Sequence, residues 1–169
     1  MSAYTLLLIV HIVTGSAGLL LGPIVMWVDT RGRDRTYGSV YVALVVAVAI
    51  SAVGLVVVRR HDLWWLIPVS ALTVALAVIA QRRIGRPERF RGHLYVHCQG
   101  GSYIALVTAT VVVSFALDGP LTGGWQLIAW LGPTAIGAPL LEVWRRRAFG
   151  PETDRRSANF GPTHPIRAW

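Results

Sequence analysis

Lysine is absent from this sequence, and all 16 basic residues are arginine. We interpret this bias as the codon usage of a G+C-rich genome and attach no function to it. Charge of either sign is also scarce, since 14% of the residues are charged, against about 25% in a typical soluble domain. Together with a hydrophobic content of 54%, this scarcity argues against a soluble domain and favours an integral membrane protein.

Cysteine occurs once, as Cys98. A single cysteine excludes an intramolecular disulfide and a cysteine metal cluster within one chain. Basic residues are missing from the segment before the first apolar run, where a secretory signal would normally carry one. We therefore expect the first apolar segment to be a retained helix. The length of 169 residues is enough for one domain.

Five apolar segments approach the length of about 20 residues that a membrane helix needs. They are residues 4–28, 39–58, 63–80, 93–116 and 125–144. We predict an all-α, polytopic transmembrane helical bundle of five spans, which forms one domain over residues 1–144. A flexible cytoplasmic tail, rich in arginine, proline and glycine, is expected over residues 145–169. The fifth segment contains Pro133 and Pro139, which predict a kink.

Arginines are concentrated on one side of the predicted spans. Only Arg59 and Arg60 lie on the other side, which leaves 14 of the 16 on the first. Because positive charge is retained in the cytoplasm, we predict a bacterial inner-membrane protein with its N-terminus outside and its C-terminus in the cytoplasm. This topology explains the net charge of +8 without nucleic acid as a partner. The aromatic residues assigned to the inner membrane boundary are Trp27, Tyr37, Tyr41, Tyr95 and Trp144.

Small residues mark two of the spans. Span one carries Gly15, Gly18 and Gly22, and span four carries Gly100 and Gly101. Because helices in a membrane pack closely through small residues, the simplest arrangement packs span one against span four through these glycines. Gly18 and Gly22 form a GxxxG sequence, which is common in membrane helices and therefore a weak signal. For the polar residues on the same faces, a purely structural role is the alternative to a functional one.

Polar side chains within the predicted spans are the main functional candidates, because they are costly in lipid and usually face protein or a wet cavity. The candidate ligand-binding residues are His97, Gln99, Ser102, Tyr103, His11, Thr14 and Arg35. In a catalytic interpretation, His97 would act as acid or base, and Gln99, Ser102 or Tyr103 would place a substrate.

A haem held by His11 and His97 is a cofactor hypothesis that paired histidines in a helical bundle suggest. At 1.5 Å per residue, His11 lies about 10 Å from the outer end of its span and His97 about 6 Å from the inner end of its span. In a core about 30 Å thick, their depths differ by about 14 Å. Two nitrogens on one metal must lie about 4 Å apart, so a single shared haem is not expected, and the cofactor stays open.

Other chemistries find little support in the motifs. His93 and His97 share a helix face, but the glutamate of an HExxH motif is missing. Glu142 is better placed to pair with Arg145 and Arg146, so we predict no metal site. GxSxG motifs, glycine-rich phosphate loops and carboxylate pairs are also missing from the spans.

The stretch "HCQGGSYIALVTA" (97–109) resembles a bacterial family of predicted integral membrane proteins with a domain of unknown function, which is abundant in actinobacteria. The flanking "LWWLIP" (63–68) and "LGPT" (131–134) contribute to the likeness, and "HIVTGSAGLLLGP" (11–23) is similar to the first span of the family. Members often carry a histidine where this chain has Asp34. The resemblance covers about positions 8 to 145 and implies a topology, but no activity.

These observations predict an integral membrane protein whose inner polar face binds a small ligand or a protein partner. The alternative is a membrane-embedded oxidoreductase or other enzyme that uses His97 and neighbouring polar residues. The expected partners are the lipid bilayer and either further copies of the chain or another membrane protein.

Overall fold

The computed structural model describes residues 2–29, 35–83, 88–117 and 119–149, and every regular element in these ranges is helical. The five long helices are α1 (Ala3–Asp29), α2 (Arg35–Val58), α3 (Leu66–Arg83), α4 (Glu88–Val111) and α5 (Gln126–Phe149). A short 3₁₀ turn leads into α3 at His61–Leu63 and another leads into α5 at Gly123–Trp125. A π-helical segment, Val112–Leu117, extends α4. The all-α prediction is confirmed for the described residues.

Four helices in the described part of the chain are long and apolar enough to cross a membrane. They are Ala3–Val28, Thr36–Val58, Leu94–Leu117 and Gly123–Arg147. The protein therefore has the build of a multi-pass membrane protein. α3 is the shortest of the five, and its 18 residues make a helix of about 27 Å, slightly less than the bilayer core of about 30 Å.

All five helices extend past the predicted limits of their spans at one end or both, and α4 and α5 do so by the most residues. α4 begins at Glu88 rather than at position 93, and α5 continues to Phe149 rather than ending at 144. In the last turns of α5, Glu142 pairs with Arg145 and Arg146, and such pairs support a helix beyond its apolar part. The predicted tail is thus helical at its start, and positions 150–169 lie outside the described residues.

α4 is the central helix of the bundle. It packs against α3 and α5 and also contacts α1, whereas α1 packs mainly on α2. The buried clusters reflect this order: Tyr95, Val96 and Cys98 of α4 pack with Ala80 of α3. α5 contacts α4 and stands at the edge. Both α1 and α5 therefore contact α4, and α4 forms the base of the space between them.

Candidate functional site

The predicted site residues on α4 lie on different faces of the helix. Gln99 and Ser102 are buried, with 3% and 0% of their surface exposed. His97 is exposed, and Tyr103 is partly buried toward α1. Successive helical residues point about 100° apart, so a stretch that is continuous in sequence does not form one site. Arg35 and His93 belong to helices α2 and α4, but the structure does not describe their side chains.

Ser102 is bonded to a tyrosine that the sequence had assigned to the inner membrane boundary. The hydroxyl oxygens of Ser102 and Tyr41 lie 3.1 Å apart, and the Ser102 hydroxyl donates to the Gln99 carbonyl at 3.0 Å. Because that bond uses the only serine proton, Tyr41 must be the donor to Ser102 Oγ. Tyr41 is completely buried, and it packs with Val25 of α1. Tyr95 is buried as well, so neither tyrosine belongs to an interfacial belt.

Gln99 brings an unpaired polar group into this cluster. Its side-chain nitrogen Nε2 is buried and has no hydrogen-bond partner among the described residues. Leaving a buried donor unpaired costs about 1–3 kcal/mol. The sequence correctly placed Gln99 toward protein, but the tyrosine beside Ser102 was missed. The available signal was Tyr41 itself, because a tyrosine inside a span needs a partner for its hydroxyl.

His11 is bonded to α2, and Thr14 is bonded within α1. His11 Nδ1 lies 3.0 Å from Ser51 Oγ, and the Ser51 hydroxyl donates to the Val48 carbonyl at 2.9 Å. The ring therefore donates from Nδ1, which leaves Nε2 as the acceptor nitrogen. The Thr14 hydroxyl donates to its own helix, at the Val10 carbonyl, 2.7 Å away. Neither residue reaches the Ser102 cluster through these bonds.

Metal ligands do not gather in the described part of the chain. It contains no group of three or more histidine, cysteine, aspartate or glutamate side chains that could hold a metal ion. His11 is bonded to α2, and His97 lies on the exposed face of α4.

The glycines of α1 face two different helices. A Cβ placed on Gly15 would meet only a side chain of α2, at 3.9 Å. A Cβ on Gly18 would lie 3.3 Å from Leu106 of α4, and one on Gly22 would overlap the ring of Tyr103. The contact of span one with span four that the sequence predicts therefore exists at Gly18 and Gly22.

The glycines of α4 do not take part in that contact. A Cβ on Gly100 would collide with Leu141 of α5, and one on Gly101 would lie 3.5 Å from Leu76 of α3. The expected packing of glycine on glycine is thus corrected to glycine on α1 against Leu106 and Tyr103 on α4. The reason is rotational, since residues 100 and 101 point away from the face that carries residues 102 and 106.

An apolar groove lies between α1, α4 and α5, in the half of the bundle that holds the buried polar cluster. Its volume is about 730 Å³. Tyr103, Ile104 and Val107 of α4 form the floor, and Trp27 of α1 and Trp144 of α5 stand at the walls. One of the predicted site residues, Tyr103, therefore lines this groove.

Two glycines allow the close helix contacts beside the groove, and one hydroxyl gives it a polar group. Gly22 receives the ring of Tyr103, and a Cβ on Gly137 would lie 2.7 Å from the side chain of Ile104. These contacts bring α1 and α5 close to α4 on each side of the floor. The Tyr103 hydroxyl makes no hydrogen bond to another described residue, so the floor offers one polar group in an apolar surface.

The end of α5 next to the groove is cationic. Glu142 receives bonds from Arg145 at 2.7 and 2.6 Å and from Arg146 at 2.7 Å. One carboxylate thus accompanies two guanidinium groups, and Arg147 follows directly. Trp144, which lines the groove, belongs to the same turn.

Comparison with known proteins adds no assignment to this geometry. The chain matches no family model, none of the curated proteins and no solved structure.

Proposed function

We propose that this protein spans the bacterial inner membrane and binds a small lipophilic ligand in the groove between α1, α4 and α5. The observation that carries the proposal is the groove itself, an apolar site of about 730 Å³ with the Tyr103 hydroxyl on its floor. Small-molecule sites measure about 300–1,000 Å³ and combine apolar walls with a few placed polar groups.

The position of the groove determines how a ligand reaches it. α1 and α5 are both outer helices, with many exposed apolar side chains such as Leu20, Ile24, Ile136 and Leu140. In a membrane these faces meet lipid, so a ligand dissolved in the bilayer enters from the side. Binding is favoured over catalysis because the exposed His97 and the buried Ser102 do not share a face.

We further propose five crossings, with the N-terminus outside and the C-terminus in the cytoplasm. α3 is short, but it packs along both α2 and α4, and its Ala77 and Ala80 are completely buried. A helix enclosed in this way between two membrane-spanning neighbours crosses with them. The distribution of arginines supports the orientation.

Gly132 allows a direct test of the groove. It lines the groove, and the nearest atom to an added Cβ is Ile128 Cγ2 at 3.9 Å, so Gly132→Leu fills the space without moving the backbone. The leucine occupies volume that the ligand needs, and a clash of about 1–3 kcal/mol should reduce the bound ligand by about 5- to 150-fold. The measurement is mass spectrometry of the lipophilic compounds that co-purify from mild detergent.

The matched control is Ala135→Leu, which adds the same side chain to an exposed position of α5 outside the groove. It should retain the ligand at the level of the unchanged protein. Equal retention by Gly132→Leu, or no compound enriched over a detergent blank, would contradict the proposal.

A further inference from the structure

The groove between α1, α4 and α5 extends over the depth of one membrane leaflet. Its lining on α5 runs from Gly132 to Trp144, a separation of about 18 Å at 1.5 Å per residue. Half of a bilayer core of about 30 Å is about 15 Å. The groove therefore has the length of an acyl chain in a single leaflet.

Two tryptophans place one end of the groove at the membrane boundary. Trp27 on α1 is 57% exposed, and Trp144 on α5 lines the groove as well. Tryptophan is enriched at the level of the lipid headgroups. At this same end α5 becomes charged, since Arg145 follows Trp144 directly. In the proposed orientation this end faces the cytoplasm, so the groove opens to the inner leaflet.

Arg147 continues the face of α5 that lines the groove. The lining residues Ile136, Leu140 and Trp144 follow one another every fourth position, so they share one helix face. Arg147 comes three positions after Trp144, and its side chain is exposed. Because the Cα–Cβ bonds of a helix tilt toward its N-terminus, this side chain starts in the direction of the groove. A guanidinium group thus follows the apolar lining at the level where a lipid has its phosphate.

The end of α5 keeps a positive charge after its ion pairs are counted. Glu142 accepts hydrogen bonds from Arg145 and Arg146, and the ion pairs that the structure describes in this turn do not involve Arg147. α1 ends near the same place, at Asp29, and the last carbonyl groups of a helix disfavour an anion. An anionic headgroup is therefore favoured on the α5 side of the groove, at Arg147.

We infer that the groove binds an anionic phospholipid of the inner leaflet, with an acyl chain along the apolar walls and the phosphate at Arg147. The inference rests on the proposed function, because it names the ligand of the same groove. Arginine binds phosphate through paired hydrogen bonds, and basic pockets between helices on the cytoplasmic side bind anionic headgroups. A zwitterionic lipid makes the same apolar contacts, but its ammonium group opposes the arginine.

Two lipids with the same acyl chains separate the charge of the headgroup from the apolar contacts. Dioleoyl phosphatidylglycerol is anionic, whereas dioleoyl phosphatidylcholine carries no net charge. Each is titrated into the delipidated full chain in mild detergent, and native mass spectrometry measures the fraction of protein that carries one lipid. Because one arginine beside an anionic headgroup contributes about a fivefold preference, we expect phosphatidylglycerol to bind at least about fivefold more tightly.

Arg147→Gln should weaken the binding of phosphatidylglycerol about fivefold and leave that of phosphatidylcholine unchanged. Arg82→Gln is the matched control, because it removes the same charge from an exposed position in the last turn of α3, a helix that does not line the groove. Equal binding of the two lipids by the unchanged protein would overturn the inference, and so would equal losses in the two variants. The first comparison needs no variant, so it decides even where Arg147→Gln fails to fold.

Gly132→Leu separates this inference from the proposed function. The new side chain fills the groove, so it should weaken the binding of both lipids. If Gly132→Leu releases the co-purified compound but leaves the preference for phosphatidylglycerol intact, the groove holds a different ligand. The inference then fails and the proposed function stands. If Gly132→Leu changes neither the co-purified compound nor the binding of the two lipids, both fail.

Discussion

At the scale of single residues, buried hydroxyl groups form the polar contacts between helices. Tyr41 and Ser102 lie 61 positions apart in the sequence, yet their oxygens meet between α2 and α4. The direction of both hydrogen bonds follows from the serine. Ser102 donates its proton to the Gln99 carbonyl, so its oxygen accepts the proton of Tyr41. The pair therefore connects α2 to α4 through one buried hydrogen bond.

Removing one partner of this pair should cost more than removing both. Ser102→Ala leaves the buried Tyr41 hydroxyl without an acceptor, and we expect a loss of about 1–3 kcal/mol. Adding Tyr41→Phe to Ser102→Ala removes the orphaned group and should recover most of that loss. The measurement is unfolding in mixed micelles followed by tryptophan fluorescence.

Thr110→Val serves as the control for this series, because its hydroxyl is bonded only to its own helix. Additive losses in the double variant would show that Tyr41 does not depend on Ser102.

At the scale of helices, close approach depends on which glycine faces a large side chain. A Cβ added to Gly22 would overlap the Tyr103 ring. A Cβ added to Gly15, seven positions earlier in α1, would lie 3.9 Å from the nearest side chain. The sequence predicts the presence and type of the helices because the apolar runs are long. It predicts the contact of α1 with α4 but not the side chains that form it, because helices that are apolar on all sides carry little sign of which face is buried.

Gly22→Ala should destabilise the bundle, and Gly15→Ala should not. The new methyl group at position 22 overlaps the Tyr103 ring, and overpacking typically costs about 1–3 kcal/mol. Thermal unfolding in detergent measures both variants. Combining Gly22→Ala with Tyr103→Ala should relieve the overlap, so an unrelieved loss would show that the contact is not the cause.

The same limit explains the outcome for the candidate site. Gln99 and Ser102 were predicted to face protein because polar groups are costly in lipid, and both are buried. His97 was predicted to face protein or a wet cavity for the same reason, but it lies on an exposed face.

At the scale of the whole molecule, the topology depends on whether the short α3 crosses the membrane. Five crossings place the two ends of the chain on opposite sides, whereas a bundle in which α3 does not cross would place them on the same side. The four other helices are long enough in either case.

Reporter fusions distinguish these topologies. Alkaline phosphatase should be active when fused after Arg60 or Gly119, and green fluorescent protein should fluoresce after Gly32, Gly85 and Gly150, because the arginine-rich connections stay in the cytoplasm. Phosphatase activity after Gly85 would show that α3 does not cross the membrane.

The groove has walls and a floor of unequal stiffness. Pro23 in α1 and Pro133 in α5 both line it, and each proline removes one backbone hydrogen bond from its helix. The floor, α4, contains no proline within Glu88–Val111. The two sides can therefore hinge while the base stays rigid, and we expect guests of different girth to be accommodated by bending α1 and α5 outward, with Tyr103 held in place.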